Sequence, residues 1–318
     1  ILGSFFARNQ NDLDQLTNVT TIVNNLFVDG SNYRDITKLT PITSVGGSVS
    51  VNASAFHSMT ELALNPALNI GGNLTITNNK ELRNLLGLEH ITHLNNLVVE
   101  NNRYLANLSG LNNLKNIDGE LSLNKNDGLT SLKGLDSLQQ VNNDFVIKDN
   151  AAIKSLNGVK SLSDIGGTLD IGASGSDDSA GKLADLSGLE SVTHIGKLSL
   201  RRNLSLVSLH GLENVDTLPS ITLSENSLLQ SLSSLSGVTH LDSLVINGNA
   251  QLKNLEGLEN LDSIGTLQIS SGYYVDGFGI TSLKGIESIK SLKDLALNST
   301  LISDLSLFNT IPITHSLV

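Results

Sequence analysis

Asn73-Leu-Thr-Ile-Thr-Asn-Asn-Lys-Glu-Leu-Arg-Asn-Leu-Leu-Gly-Leu-Glu-His-Ile91 reads as L-x-I-x-x-N-x-x-L-x-x-L-x-G-L-x-x-I, and the chain repeats it. Further copies open at Leu97-Val-Val99, Leu121-Ser-Leu123 and Phe145-Val-Ile147, then at Leu198-Ser-Leu200, Ile221-Thr-Leu223 and Leu244-Val-Ile246. The lead residues 74, 97, 121, 145, 169, 198, 221, 244, 267 and 295 lie 23 or 24 apart, apart from two steps of 29 and 28. A fixed period in the twenties with leucines at set offsets is the mark of a solenoid whose repeat is one coil. In L-x-I the two apolar side chains point inward and the middle one outward, as in a short strand. Stacked coils then align these strands into one long parallel sheet.

The other recurring positions read as structural. Asn79, Asn102, Asn126, Asn150, Asn203, Asn226 and Asn249 recur at one place, where an inward amide can satisfy turn groups that no strand reaches. Gly87, Gly110, Gly134, Gly158, Gly188, Gly211, Gly257 and Gly285 mark a tight bend before the next inward apolar residue. Upstream, Asn11-Asp12 can cap a helix carrying Leu13, Leu16 and Val19, running to Ile22. Downstream, Leu301, Leu305, Leu307, Phe308 and Ile311 are expected to fold over the last coil, and Pro312 suits a chain leaving the sheet. The 318 residues therefore read as one solenoid domain: a helical cap over 1–25, about twelve coils over 26–297, and a second cap over 298–318.

Composition narrows the function. The net charge of -11, without a run of Lys or Arg, argues against a nucleic-acid or anionic-membrane surface. There is no Cys, which removes disulfides and cysteine-based metal or nucleophile chemistry. No stretch approaches the roughly 20 apolar residues of a membrane span. The seven His are scattered, with no metal spacing, and no Ser-His-Asp order or phosphate-binding glycine loop stands out.

The opening "NDLDQLTNVTTIVNNLFV" (11–28), followed by the repeated motif, resembles the receptor L-domain branch of leucine-rich repeat proteins. Fungal cell-wall and bacterial surface leucine-rich proteins are similar in style. The resemblance covers nearly the whole chain. It implies a β-dominant, right-handed coil stack and a binding role, and the absence of disulfides favours the bacterial surface or adhesin type.

Two insertions fall directly after a strand, so they emerge on one edge of the stack. The first, Gly172–Lys182, runs eleven residues where other coils use five, and the second, Ser270–Gly279, runs ten. The second carries Tyr273, Tyr274, Asp276 and Phe278, whose rings can stack on sugars or anchor a peptide. Asp177 and Asp178 in the first could ligate Ca²⁺ through hard oxygens, although the spacing fits no established calcium loop; no other cofactor is expected. On the outward face, Lys148, Asp170 and Arg201 sit in a charged zone with Glu100, Glu120, Asp144 and Lys197. Lys, Arg and Asp clusters also serve polysaccharide lyases, but no deep cleft backs this one, and a hydrated face with cross-strand pairing reads equally well. The expectation is a monomeric, non-enzymatic binding module at a cell surface or outside the cell, with a glycan or peptide ligand. A polysaccharide-cleaving enzyme and a structural spacer are the alternatives.

Overall fold

A computed structural model describes residues 3–30, 33, 35–175, 181–271, 279–309, 311 and 313–317. The chain is a β-solenoid of about twelve parallel-strand turns with little helix. Its contacts gather into two compact units, Ile1–Leu162 and Ser163–Val318.

In the N-terminal unit, strands Phe5–Ala7, Leu26–Asp29, Val49–Asn52, Leu74–Thr77, Leu97–Glu100, Leu121–Asn124 and Phe145–Lys148 pair in parallel. The lead residues are register partners, running Phe5, Leu26, Val49, Leu74, Leu97, Leu121, Phe145. The C-terminal unit repeats this with Leu169, Leu198, Ile221, Leu244, Leu267 and Leu295. All these leads are buried, as is the residue two places on in nearly every strand, so the period-2 reading holds. Registration is firm because a one-residue slip would turn each apolar pair to water.

The asparagine column is buried and hydrogen-bonded from coil to coil within each unit. Asn102 shows the pattern. Its backbone N–H and its Nδ2 donate to Oδ1 of Asn126 at 3.1 and 3.2 Å, and Nδ2 also donates to the carbonyls of Ile76 and Glu100. Its own Oδ1 accepts from the backbone N–H and Nδ2 of Asn79. Ser54 holds this place in the coil before Asn79 and donates to the Asn79 Oδ1 through N–H and hydroxyl. In the C-terminal unit the column begins at Asn203, whose Oδ1 has no hydrogen-bond partner among the described residues. Ser174 occupies the equivalent place on the coil before it.

The bend glycines all adopt φ between 106° and 119°. A further element of the bend is not apparent from the leucine pattern. The N–H of Gly87, Gly134, Gly188, Gly211, Gly257 and Gly285 each donates to the carboxylate two residues on, from Glu89 to Glu287, while Gly110 donates to Asn112, all at 2.7–3.1 Å. Six of the 31 acidic residues thus cap a bend glycine, and part of the acidity is structural. Where Ser234 replaces the glycine, the bend is rebuilt as a 3-10 turn over Ser233–Leu235.

Both ends depart from expectation. The N-terminal helix is only Gln10–Leu13, capped by Asn9 rather than Asn11 or Asp12, and passes into a 3-10 turn over Asp14–Leu16. Asn18 turns left-handed at φ 63°, and the β-branched Thr21–Ile22 then joins a sheet, so no helix reaches Ile22. Leu13, Leu16 and Val19 are nevertheless buried as expected. At the other end Ile311 is buried, but Leu301 and Leu305 are exposed rather than folded over the last coil. The chain rejoins the sheet: Ile313–Leu317 pairs in parallel with Ser291–Asn298. Pro312 lies outside the described residues.

Candidate functional site

The aromatic set Tyr273, Tyr274, Asp276 and Phe278 lies outside the described residues, as do Asp177 and Asp178. Lys148 ends its strand in the N-terminal unit, in the outward column Glu100–Asn124–Lys148. Asp170 and Arg201 belong to the C-terminal unit on adjacent strands, but the register offsets them: Asp170 faces Ser199 and Arg201 faces Gly172. Gly172 has φ 140°, and a Cβ there would meet the Arg201 carbonyl at 1.7 Å, so the backbones lie too close for any side chain opposite Arg201.

Around these residues the outward face is a registered polar lattice. In the C-terminal unit the columns read Ser220–Ser243–Thr266, Ser199–Thr222–Val245–Gln268 and Arg201–Ser224–Asn247–Ser270. Most of these side chains are half-buried, and they are short. Strands stand about 4.8 Å apart, so one column presents a like group at each step.

The N-terminal unit orders the same face through side-chain bonds. Asn52 Nδ2 donates to Asp29 Oδ1 at 3.0 Å, Thr77 Oγ1 to Asn52 Oδ1 at 3.1 Å, and Asn101 Nδ2 to Asn78 Oδ1 at 2.6 Å. A second line runs through Ser48, Asn73 and Asn96 to the N–H of Glu120. At its first two strands this face carries two phenylalanines. The rings of Phe6 and Phe27 stack at 4.5 Å between centroids and 8° between planes. The sequence did carry the signal, since Phe5-Phe-Ala7 and Leu26-Phe-Val28 both fit apolar-x-apolar, with the second Phe outward.

His57, His93, His210 and His240 are exposed and paired with acidic side chains. His240 Nδ1 meets Ser263 Oγ at 2.6 Å, and Nε2 meets Asp242 Oδ1 at 3.0 Å. A carboxylate only accepts, so in the neutral ring Nε2 carries the proton and Nδ1 accepts from the serine hydroxyl. Sequence order concealed this set because His240 and Ser263 meet as register partners on successive coils. His240 and Asp242 are exposed rather than set in a cleft, and the bonds tie one coil to the next. Among the described residues no group of three or more His, Asp or Glu is placed to hold a metal ion. A cleft of about 420 Å³ in the N-terminal unit is lined by Met59, Ala63, Leu64, Pro66 and His90, among others. Burial holds the His90 imidazole below its ordinary value of 6.5, against the pull of Glu89, and its Nε2 is enclosed without a partner.

One of the histidine pairs sets a pH dependence. His210 Nδ1 donates to Glu213 Oε1 at 2.8 Å, and this bond, then the glutamate charge, raises the imidazole above 6.5. For Glu213 burial alone would raise the carboxyl. Hydrogen bonds from His210, the backbone and Ser234 outweigh it and hold the group below 4.5. A raised histidine stabilises below 6.5 and loses that contribution as pH rises through its folded value, whereas a lowered glutamate stabilises above 4.5 and loses it as pH falls through its own. Both contributions are therefore present between 4.5 and 6.5. In thermal melts, the advantage of the native chain over His210→Gln should be greatest between pH 4.5 and 6.5 and fade as pH rises through the raised value of the folded imidazole. A pH-independent difference would mean that the pair is held by packing.

The chain contains no helix among the described residues long and apolar enough to cross a membrane. Comparison with protein-family models gives no match, and none is found among curated proteins.

Proposed function

We propose that this chain is a recognition module of the receptor L-domain-like leucine-rich type, acting at a cell surface or outside the cell as the ligand-binding part of an adhesin. Its ligand is an extended glycan or peptide laid along the outward sheet face, with Tyr273, Tyr274, Asp276 and Phe278 of the second insertion, and Asp177 and Asp178 of the first, as further contacts. The observation that carries this reading is the outward lattice itself: short hydroxyl and amide side chains in fixed register, half-exposed over many strands. Extended, repetitive ligands match repeated, evenly spaced donors and acceptors, and solenoids offer such surfaces. Lys148 supplies charge on the outward face of the N-terminal unit, and Asp170 and Arg201 on that of the C-terminal unit.

The test is a glycan and peptide array probed with the intact chain, in calcium and in chelator, beside Tyr273→Ala/Tyr274→Ala and Arg201→Ala variants. A hit weakened roughly tenfold by the tyrosine pair puts the main contact on the second insertion, and one weakened by Arg201→Ala puts it on the sheet. Loss in chelator alone would add a calcium ion to the reading, with Asp177 and Asp178 as its candidate ligands. An array with no hit of either kind would sink the recognition reading.

A further inference from the structure

We infer that the Phe6–Phe27 pair is the seat of a pyranose ring, which makes the first strands of the N-terminal unit a glycan subsite. This rests on the recognition reading above and narrows its ligand class. Phe27 covers one side of the Phe6 ring, yet Phe6 remains 51% exposed. An isolated exposed apolar residue needs no explanation. Here, however, the ring belongs to a rigid stack and has polar groups on both sides. Residues two apart on a strand share a face, so Ser4 and Arg8 flank Phe6, and Asn25 and Asp29 flank Phe27.

Several of these groups are already fixed. Arg8 Nε donates to Asp12 Oδ2 at 3.1 Å, Asn52 Nδ2 to Asp29 Oδ1 at 3.0 Å, and the N–H of Asn25 to Ser4 Oγ at 3.4 Å. Behind the strand, Tyr33 donates its hydroxyl to the Ala7 carbonyl at 2.6 Å and stacks on Phe56. Little ordering is left to be done on binding.

The arrangement has one ring-sized apolar face bordered by planar donors and acceptors. A pyranose matches it, with C–H groups on one face and hydroxyls around its edge. A nucleic acid does not, because the chain carries a net charge of -11 and, among the described residues, the patch offers Arg8 alone, which is tied to Asp12. An apolar peptide anchor would need a pocket, and these rings stand on an open sheet face.

The experiment uses the full chain on the glycan array and the peptide array, with Phe6→Ala, Phe6→Tyr and Asn52→Ala variants and a sedimentation run on each. Phe6→Ala should weaken glycan hits roughly tenfold or more, Asn52→Ala should weaken them less, and Phe6→Tyr should retain them. Melting curves identify any variant that misfolds. If Phe6→Ala does so, retention by Phe6→Tyr together with loss in Asn52→Ala still supports the subsite, and no loss in Asn52→Ala overturns it. Glycan hits that persist in a folded Phe6→Ala chain overturn the subsite and leave the recognition reading standing. Peptide hits without glycan hits do the same. A self-association that Phe6→Ala abolishes would assign the patch to a second copy of the chain and overturn the subsite as well.

Discussion

Gly134→Ala is expected to lower the melting midpoint of the chain by roughly 10 °C, from a loss of about 4 kcal/mol. Two effects add. At φ 110° an L side chain is strained before any contact is considered. A Cβ built there would also lie 2.1 Å from the carbonyl carbon and oxygen of Leu108 and 2.5 Å from the N of Ser109. Those atoms are backbone of the adjacent coil, so no rotamer change relieves the overlap, and the coils must part. Gly3→Ala is the matched control, because its Cβ would meet only Asn24 Nδ2 at 3.7 Å, an ordinary contact. Calorimetry on both variants decides the matter. Equal, small shifts would show that the bend deforms freely, contrary to the close approach of the coils. The Ser234 coil indicates how a side chain can be accepted, which is by remaking the turn as 3-10. Gly134→Ser should not reproduce that, since its neighbours lack the Ser233-Ser234-Leu235 sequence.

Asn226→Leu is expected to cost about 4 kcal/mol although it preserves side-chain size, and Asn203→Leu about half as much. Asn226 Oδ1 accepts from the N–H and Nδ2 of Asn203 at 3.0 and 3.1 Å, and its Nδ2 donates to the Leu200 carbonyl and to Asn249 Oδ1. Leucine fills the space and leaves the Asn203 N–H and the Leu200 carbonyl without these partners. Buried groups left unmade lose about 1–3 kcal/mol each. Asn203 differs because its Oδ1 accepts nothing from the described residues, so its removal strands mainly the Ile171 carbonyl. Urea unfolding of the two variants measures the difference. If both lose the same amount, the column stabilises by packing and the hydrogen-bond account fails.

Much of the coil was legible because its signals are local and repeated. Leu74, Ile76, Asn79, Leu82, Leu85, Gly87 and Leu88 each occupy a fixed offset, and alternation alone tells which side chains face the core. What the sequence concealed depends on contacts between coils or on single turns. The Glu89-type bond to a glycine N–H looks like an ordinary surface acid until the bend brings it back two residues. The pairing of His240 with Ser263 needs the register. Leu13, Leu16 and Val19 fit a helical face, whereas a left-handed Asn18 delivers the same burial by a turn. Leu301 and Leu305 were assigned to a cap on hydrophobicity alone, and the strand at Ile313–Leu317 caps the stack instead. On the candidate site, the outward polar columns followed from the same alternation. The offset of Asp170 from Arg201 did not, because it turns on which residue faces which across the strands.

The asparagine column also bears on how such a chain can acquire new surface. Both long insertions begin in coils that lack the column residue: Ser174 stands in its place in one and Gly272 in the other. A buried amide that must meet its neighbours above and below fixes the path of the corner to within a bond length, and a corner so fixed has no room for extra chain. Giving up the amide frees the corner. At Asn203 the loss is visible as one oxygen without a donor among the described residues. Ser54 also stands in the column, in a coil of ordinary length, so giving up the amide permits extra chain at the corner without requiring it, while the strands on either side keep their register.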